Sequence, residues 1–324
     1  MNLPSFSIVL ETENLANANL GGLAKSLASL AAQGVSPALA NEVILIDSGD
    51  APPGLLQQLS EVYPWIQLKT APLGTGYYKA KMLGAELATG EVVVYFDSDC
   101  RYEPHWLQQI LTPFAKDAAI QVVAGETQTR GRGPYGTAMA LTYIFPRFSN
   151  QQRLAATPQY FLNNVAFRRD FLLRYPLPTE LPLYRGNCAI HASDLRQAGH
   201  AIWRQPLARA HHAPPSSLSH FFWRFLMIGY DYYWQKRLLA ADGRSPTQLD
   251  RSDPVVGLRG KLQVFWERSG RLFVQQPQHW LYLPLALPIV LASLALILVG
   301  YAATALWPHY LLHTYNQILG EDGV

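Results

Sequence analysis

Gly90-Glu91-Val92-Val93-Val94-Tyr95-Phe96-Asp97-Ser98-Asp99 is the stretch that decides the fold of this 324-residue chain. Residues 91–96 are almost wholly apolar and rich in β-branched and aromatic side chains, the composition of a strand buried on both faces. Just upstream, residues 79–88 carry Ala80, Leu83, Ala85 and Leu87, which favour a helix, and Gly90 supplies its stop. A helix leading into a doubly buried strand is part of an alternating α/β pattern with parallel pairing. The strand empties into Asp97-Ser98-Asp99. In open α/β sheets ligands gather at the carboxyl ends of the strands, so this acidic loop stands where a ligand would.

The alternation continues outward on both sides. Towards the N-terminus, strands are expected over 6–10, 42–46 and 66–70, with helices over 21–33 and 55–62 between them. The second strand also ends in an acidic loop, Asp47-Ser48-Gly49-Asp50. Towards the C-terminus the spacing predicts a helix over 106–114, a strand over 120–124, a Gly/Arg-rich loop over 131–136 and a strand over 163–167. A short helix over 192–198, stopped by Gly199, and a strand over 201–204 lead to His211-His212.

Composition divides the chain. Hydrophobic residues make up 49% and charged residues 15%, an apolar balance that points to a segment outside water. The net charge of +3 gives no reason to expect a nucleic-acid partner. Two cysteines, Cys100 and Cys188, show no CxxC spacing, which suggests a reducing compartment without a disulfide framework. Residues 1–7 have neither a basic start nor an apolar run, so no secretory signal is expected. Residues 281–307 are twenty-seven consecutive residues without a charge, more than the roughly 20 that cross a bilayer. Tyr282 and Trp307 sit near the ends of this run, where amphipathic rings favour the interface. From Arg196 to Arg271 there are twelve Lys/Arg against five Asp/Glu, a basic patch suited to anionic head groups. Arg259, Lys261, Arg268 and Arg271 precede the apolar run and no Lys or Arg follows it. The positive-inside rule then predicts a single-pass anchor in the cell membrane with a cytoplasmic N-terminal domain. Residues 218–239 are crowded with aromatics. His220, Arg224, Met227, Asp231 and Gln235 form one narrow, mostly polar line, which suits a helix at a bilayer interface or a buried core helix.

Two carboxylates one residue apart at a strand exit form a hard oxygen site for Mg²⁺ or Mn²⁺, with a diphosphate completing the coordination. A lone Asp-x-Asp is common in solvated turns, so the surrounding motifs carry the argument. Taken in order, these motifs resemble a family-2 glycosyltransferase with the GT-A fold over about residues 5–215. The opening Ser7-Ile8-Val9-Leu10-Glu11-Thr12-Glu13-Asn14 is similar to the family's first strand and loop, although Glu11 and Glu13 depart from the usual Pro and Tyr. Val43-Ile44-Leu45-Ile46-Asp47 is similar to its second strand, and residues 76–90, with Lys79 and Lys81, to its basic helix. The resemblance implies that Thr12 and Asp47 contact the nucleoside of a nucleotide-diphosphate sugar and that Lys79 or Lys81 contacts its phosphates. It implies Asp97 on the ribose or metal, Asp99 on the metal, and His212 closing the metal site. Asn164 resembles the Asn before the acceptor-side strand.

One part of the family pattern is absent. Inverting members carry a Glu-Asp pair where this chain has Asn187-Cys188, and the Asp of that pair deprotonates the acceptor. A general base must lie within hydrogen-bond reach of the proton that it takes. Asp194, His191 and Glu180 are the nearby substitutes. A lipid-phosphate acceptor, already ionised, would require no strong base. The expected architecture is thus an α/β GT-A nucleotide-sugar-binding domain with a mostly parallel sheet over 1–215. A membrane-surface segment with a linker over 216–278, a transmembrane helix over 279–308 and a short tail over 309–324 follow. The expected partners are the nucleotide-sugar donor, a lipid or glycan acceptor and membrane lipids. A donor-binding membrane scaffold without turnover is the competing reading, supported by Asn187-Cys188. A nucleotidyltransferase would carry a Gly-rich N-terminal phosphate loop, and residues 11–15 contain no Gly.

Overall fold

The computed structural model describes residues 2–12, 20–49, 51–241 and 258–321. Glu13, Asn14, Asp50 and the linker expected over 242–253 lie outside the described residues, as do the side chains of Arg259 and Lys261. The first half contains β1 (Phe6–Glu11), α1 (Leu20–Ala31), β2 (Val43–Asp47), α2 (Leu55–Val62), β3 (Ile66–Thr70), α3 (Tyr77–Leu87) and β4 (Val92–Phe96). Next come β5 (Cys100–Tyr102), α4 (Trp106–Lys116), β6 (Val122–Thr129), α5 (Gly133–Thr142), β7 (Ala155–Ala156), β8 (Asn164–Arg168) and α6 (Arg169–Arg174). The chain continues with α7 (Asn187–Gln197), β9 (Ile202–His212), α8 (Leu218–Ala241), α9 (Leu258–Gln275), α10 (His279–Leu306) and α11 (Tyr310–Glu321).

Two compact units emerge. The first contains Met1–Thr127, Phe148–Thr179 and His191–His212 and is built on a nine-stranded sheet of order β3-β2-β1-β4-β8-β6-β9-β5, with β7 paired to β9. Parallel pairing is confined to β3-β2-β1-β4, and β8 pairs antiparallel to β4 and β6, as β5 and β7 do to β9. The parallel part of the sheet follows from its connections. The crossovers through α1, α2 and α3 return each early strand in the same direction, as parallel pairing requires. Every residue of β4 is buried, as its apolar run required. In α4, Trp106, Leu107, Ile110, Leu111 and Phe114 repeat at helical spacing and pack into the same core. Each such side chain contributes about 1.5–3 kcal/mol by leaving water.

The second unit contains Gln128–Arg147, Glu180–Ile190 and Ala213–Val324. Its centre is α8, in which every residue from Phe225 to Asp231 is buried. From Arg224 to Gln235 the polar line in its sequence therefore faces protein, the buried-core alternative of its two readings, while His220 at its start is exposed. Arg224 donates to the Tyr143 hydroxyl at 2.9 Å, and Asp231 accepts the backbone N–H groups of Tyr184 and Arg185 at 2.7 and 3.0 Å. Glycine permits α8 and α10 to meet backbone to backbone. A Cβ on Gly229 would lie 2.1 Å from the Ile297 carbonyl oxygen, and one on Gly300 would lie 2.1 Å from that of Leu226. α10 is 28 residues long and contains an 18-residue stretch with a mean hydropathy of 2.5, long and apolar enough to cross a membrane.

Candidate active site

Three parallel strands deliver the site residues to one edge of the first unit. β1 pairs with β2 on one side and β4 on the other, so the strand order reverses beside β1, the place where open sheets leave a crevice. Past the end of β1, Thr12 Oγ1 donates to Asp47 Oδ1 at 3.2 Å and accepts the Ser48 N–H at 3.0 Å. The Gly49 N–H also reaches Asp47 Oδ1, at 3.0 Å. The two residues assigned to the nucleoside by resemblance are thereby joined.

Past the end of β4, the two carboxylates have different surroundings. Asp97 is buried. Lys81 Nζ donates to its Oδ1 at 2.6 Å, and the Tyr77 hydroxyl donates to Oδ2 at 2.9 Å. Tyr77 and Lys81 stand four residues apart on α3, so they project from one face. The Asp97 backbone is held as well. Its N–H donates to the Tyr102 hydroxyl at 3.0 Å, its carbonyl accepts from Ser26 Oγ at 3.0 Å, and the Tyr102 hydroxyl donates to the Asn163 carbonyl at 2.6 Å. Tyr102 is wedged between Phe96, stacked at 4.6 Å, and Trp106 at 4.1 Å.

Asp99 is 36% exposed, and its Oδ2 lies 2.9 Å from His212 Nε2. The cause is sheet register: β5 and β9 run antiparallel with Cys100 opposite His212, which brings the last residue of β9 to the acidic loop. Asp99, Cys100 and His212 offer ligand atoms within 4.8 Å of one another. Cys100 is wholly buried; its thiol donates to Asp99 Oδ1 at 3.5 Å, and burial with the Asp99 and Asp97 carboxylates pushes its pKa well up. A neutral buried thiol is a poor ligand. The Asp99 carboxylate and the His212 imidazole remain as a donor pair that fits Mn²⁺ or Mg²⁺, with open positions for substrate oxygens. Asp97, expected on the ribose or the metal, already accepts from Lys81 and Tyr77, and its carboxylate keeps lone pairs for a further partner.

Several other expected residues are held by the protein itself. Lys81 has no exposed surface and is bonded to Asp97 and to the Phe96 carbonyl at 2.6 Å, so it positions Asp97 and offers nothing to a phosphate. Lys79 is exposed on another side of α3, beside Met82, Glu86 and Leu177. His191, a candidate base, is buried; Nδ1 meets the Tyr160 hydroxyl at 2.6 Å and Nε2 the Tyr175 carbonyl at 2.9 Å. Burial lowers its pKa to about 4, against the Tyr175 carbonyl. Both ring nitrogens are engaged, so it cannot serve as a general base without breaking its packing. Asp194 is exposed on α7 between buried Ala192 and Leu195, the position of a surface residue on an amphipathic turn. Glu180 belongs to the second unit. Asn164 is sealed: its Oδ1 accepts the Trp106 indole N–H at 2.7 Å, and Nδ2 donates to the carbonyls of Glu126 and Ala208 at 3.0 Å each. The bond to Ala208 ties it to β9, four residues before His212. Tyr77, Tyr102 and Ser26 escaped the sequence reading; only the Tyr77/Lys81 spacing hinted at a shared target.

Comparison with known proteins agrees with this geometry. Residues 17–175 match the model of glycosyl transferase family 2. Polypeptide N-acetylgalactosaminyltransferase 15 of Homo sapiens is 35% identical over 86 residues, covering 26% of this chain and 14% of that protein. N-acetylgalactosaminyltransferase 6 of Drosophila melanogaster is 31% identical over 117 residues, covering 35% of this chain and 17% of that protein. The chain thus matches only a small part of the length of these curated relatives. Among solved structures, the mannosyltransferase PcManGT from Pyrobaculum calidifontis, in complex with GDP-Man and Mn²⁺, superposes with a TM-score of 0.57 at 18% identity, covering 99% of this chain and 86% of that one. GalNAc-T7 with UDP, GalNAc and Mn²⁺ gives 0.55 at 16% identity, covering 85% and 56%. At such identities the likeness establishes the fold. Residues 17–175, which include Asp47, Asp97 and Asp99, are a family-2 glycosyltransferase domain with the GT-A fold.

Proposed function

We propose that this chain transfers a sugar from a nucleotide-diphosphate sugar to a lipid, lipid-phosphate or glycan acceptor at the cytoplasmic face of a membrane, with inversion at the anomeric carbon. The observation that carries the reading is the Asp99–His212 pair, 2.9 Å apart at the carboxyl edge of the parallel strands. These two residues would hold Mn²⁺ or Mg²⁺, which when bound supplies positive charge against the departing nucleoside diphosphate. The chain's own residues orient the donor. Thr12 and Asp47 meet the nucleoside, and Lys81 with Tyr77 fixes Asp97 for the ribose. A loop held in place before the donor arrives avoids reorganisation at the moment of reaction.

The acceptor half is supported by chemistry that the chain lacks. Asn187 and Cys188 bring no carboxylate, His191 is enclosed, and Asp194 is a surface residue. An ionised lipid phosphate needs no base, which favours it over a sugar hydroxyl. The apolar α10 supports attachment to a membrane. The test is turnover of a panel of nucleotide sugars with Mn²⁺ by the wild type and Asp99→Ala. Donor turnover indifferent to Asp99 would sink the proposal. The same missing carboxylates favour a second reading, a scaffold that binds donor without turnover. Calorimetry showing donor binding beside an absence of transfer and hydrolysis would establish it.

A further inference from the structure

α10 has the length of a membrane span, but α8, which packs on it most extensively in the second unit, does not have the composition of one. One stripe of α10 is buried along its whole length, at His279, Ala286, Val290, Ser293, Gly300 and Thr304. Near its start, Thr137 of α5 meets His279 Nδ1 at 2.6 Å. Twenty-one residues later, about 30 Å along the axis, Gly300 rests on the backbone of Leu226 in α8. The chain then turns, and α11 folds back onto α8. Trp234 stacks on His309 and donates to the Pro308 carbonyl at 3.2 Å, while Leu311 packs with Met227 and Tyr230. The Tyr315 hydroxyl reaches the Tyr184 hydroxyl at 3.0 Å.

Of the two helices that pack along that stripe, α5 carries no charge, whereas α8 carries Arg224, Asp231, Lys236 and Arg237. Arg268 of α9 donates to the carbonyls of Tyr143 and Ile144 just past the end of α5. Arg224 bonds Tyr143 and lies over the Tyr184 ring at 5.6 Å. Were α10 to stand upright across a bilayer, α8 would have to enter the hydrocarbon with these charges. Alternatively, Tyr184 and Tyr315 would have to meet across it. Ionised side chains are expensive in the bilayer core.

We infer that α10 lies along one face of the membrane, in the plane of a single leaflet, and that α11 stays on the side from which α5 and α8 arise. The occupant of its open face is lipid acyl chain. Leu281, Leu285, Leu291, Leu294 and Leu298 are exposed there, each 43–80%, without an aqueous group among them. This arrangement replaces the crossing expected from length and hydropathy alone, and it does not depend on the transferase reading.

The test is cysteine accessibility in sealed membrane vesicles of known orientation. In a Cys188→Ser background, Gln317→Cys places a thiol on the exposed side of α11, and Glu61→Cys places a reference on exposed α2. A membrane-impermeant maleimide should label both from the same side of intact vesicles. If Gln317→Cys reacts only from the side opposite to Glu61→Cys, or only after permeabilisation when Glu61→Cys needs none, α10 crosses the bilayer and the inference fails. A melting temperature and circular dichroism spectrum matching the wild type's confirm that each labelled variant is folded.

Discussion

Asp97 in the first unit and Asp231 in the second are both buried carboxylates with cationic neighbours, yet their surroundings diverge. Asp231 accepts two backbone N–H groups, from Tyr184 and Arg185, at the centre of packed aromatics. Burial raises its pKa to about 6, against the lowering by those N–H groups and by Arg224 and Arg185. Its function is complete once the segment ahead of α7 is tied to α8. Asp97 is held by Lys81 and Tyr77, but two residues on stands a second carboxylate, Asp99, which is 36% exposed and faces a histidine. A buried charge with a partner is an architectural device. The exposed carboxylate that it holds in place is the mark of a site.

That contrast can be broken experimentally. Asp99→Ala should lower metal-dependent transfer by about a thousandfold, the several kcal/mol that a bound metal contributes, with little change in thermal stability. Asp231→Ala should do the reverse, lowering the melting temperature. Parallel activity assays and melts of the two variants test the pair. Lys81→Met should destabilise the first unit by about 3–5 kcal/mol, because it leaves Asp97 buried without its cation. Denaturant titration measures that loss, and adding Asp97→Asn should recover part of it.

His191 sharpens the comparison on the pH axis. Its folded pKa of about 4 lies below the ordinary value of 6.5. Between these values the unfolded chain binds a proton that the folded chain refuses. Stability therefore falls as pH drops from 6.5 towards 4, by up to about 3 kcal/mol in all, and is unaffected above that window. Urea melts at several pH values should show the slope, and His191→Gln should flatten it. Gly300→Val has the smallest expected effect on the site. It drives a side chain into the Leu226 backbone at the α8–α10 crossing and costs no less than ordinary overpacking, about 1–3 kcal/mol, read as a lower melting temperature with donor binding intact.

Much of the first unit was legible because its signals are local. The run at 91–96 reads as a strand whatever surrounds it, and β2, β3 and α2 fell close to their observed ends. β5 did not, since the three residues Cys100–Tyr102 are too short to show a period. β9 runs from Ile202 to His212, whereas the reading stopped at Arg204 because Pro206 interrupts the alternation. The site divides in the same way. Asp47, Asp97, Asp99 and His212 carry their chemistry in residue type and position. Tyr102 and Ser26 reach Asp97 only through the folded chain, and the burial of Lys81 and His191 is a property of packing that no three-residue pattern records. In the second unit, periodicity left α8 with two readings because a helix buried all round and one at an interface are both aromatic-rich.

Opposite Cys100 stands His212, and opposite Arg101 stands His211, which faces Glu103 at 3.4 Å. Side chains alternate across a strand, so slipping β9 by one residue would turn His212 away and offer its neighbour to Asp99 from the wrong face. Two adjacent histidines of identical chemistry are thus told apart by hydrogen-bond counting along an eleven-residue strand. A one-residue insertion or deletion between 203 and 209, far from any ligand, would act as an active-site mutation. The accuracy of the metal centre is, in that sense, inherited from strand pairing during folding.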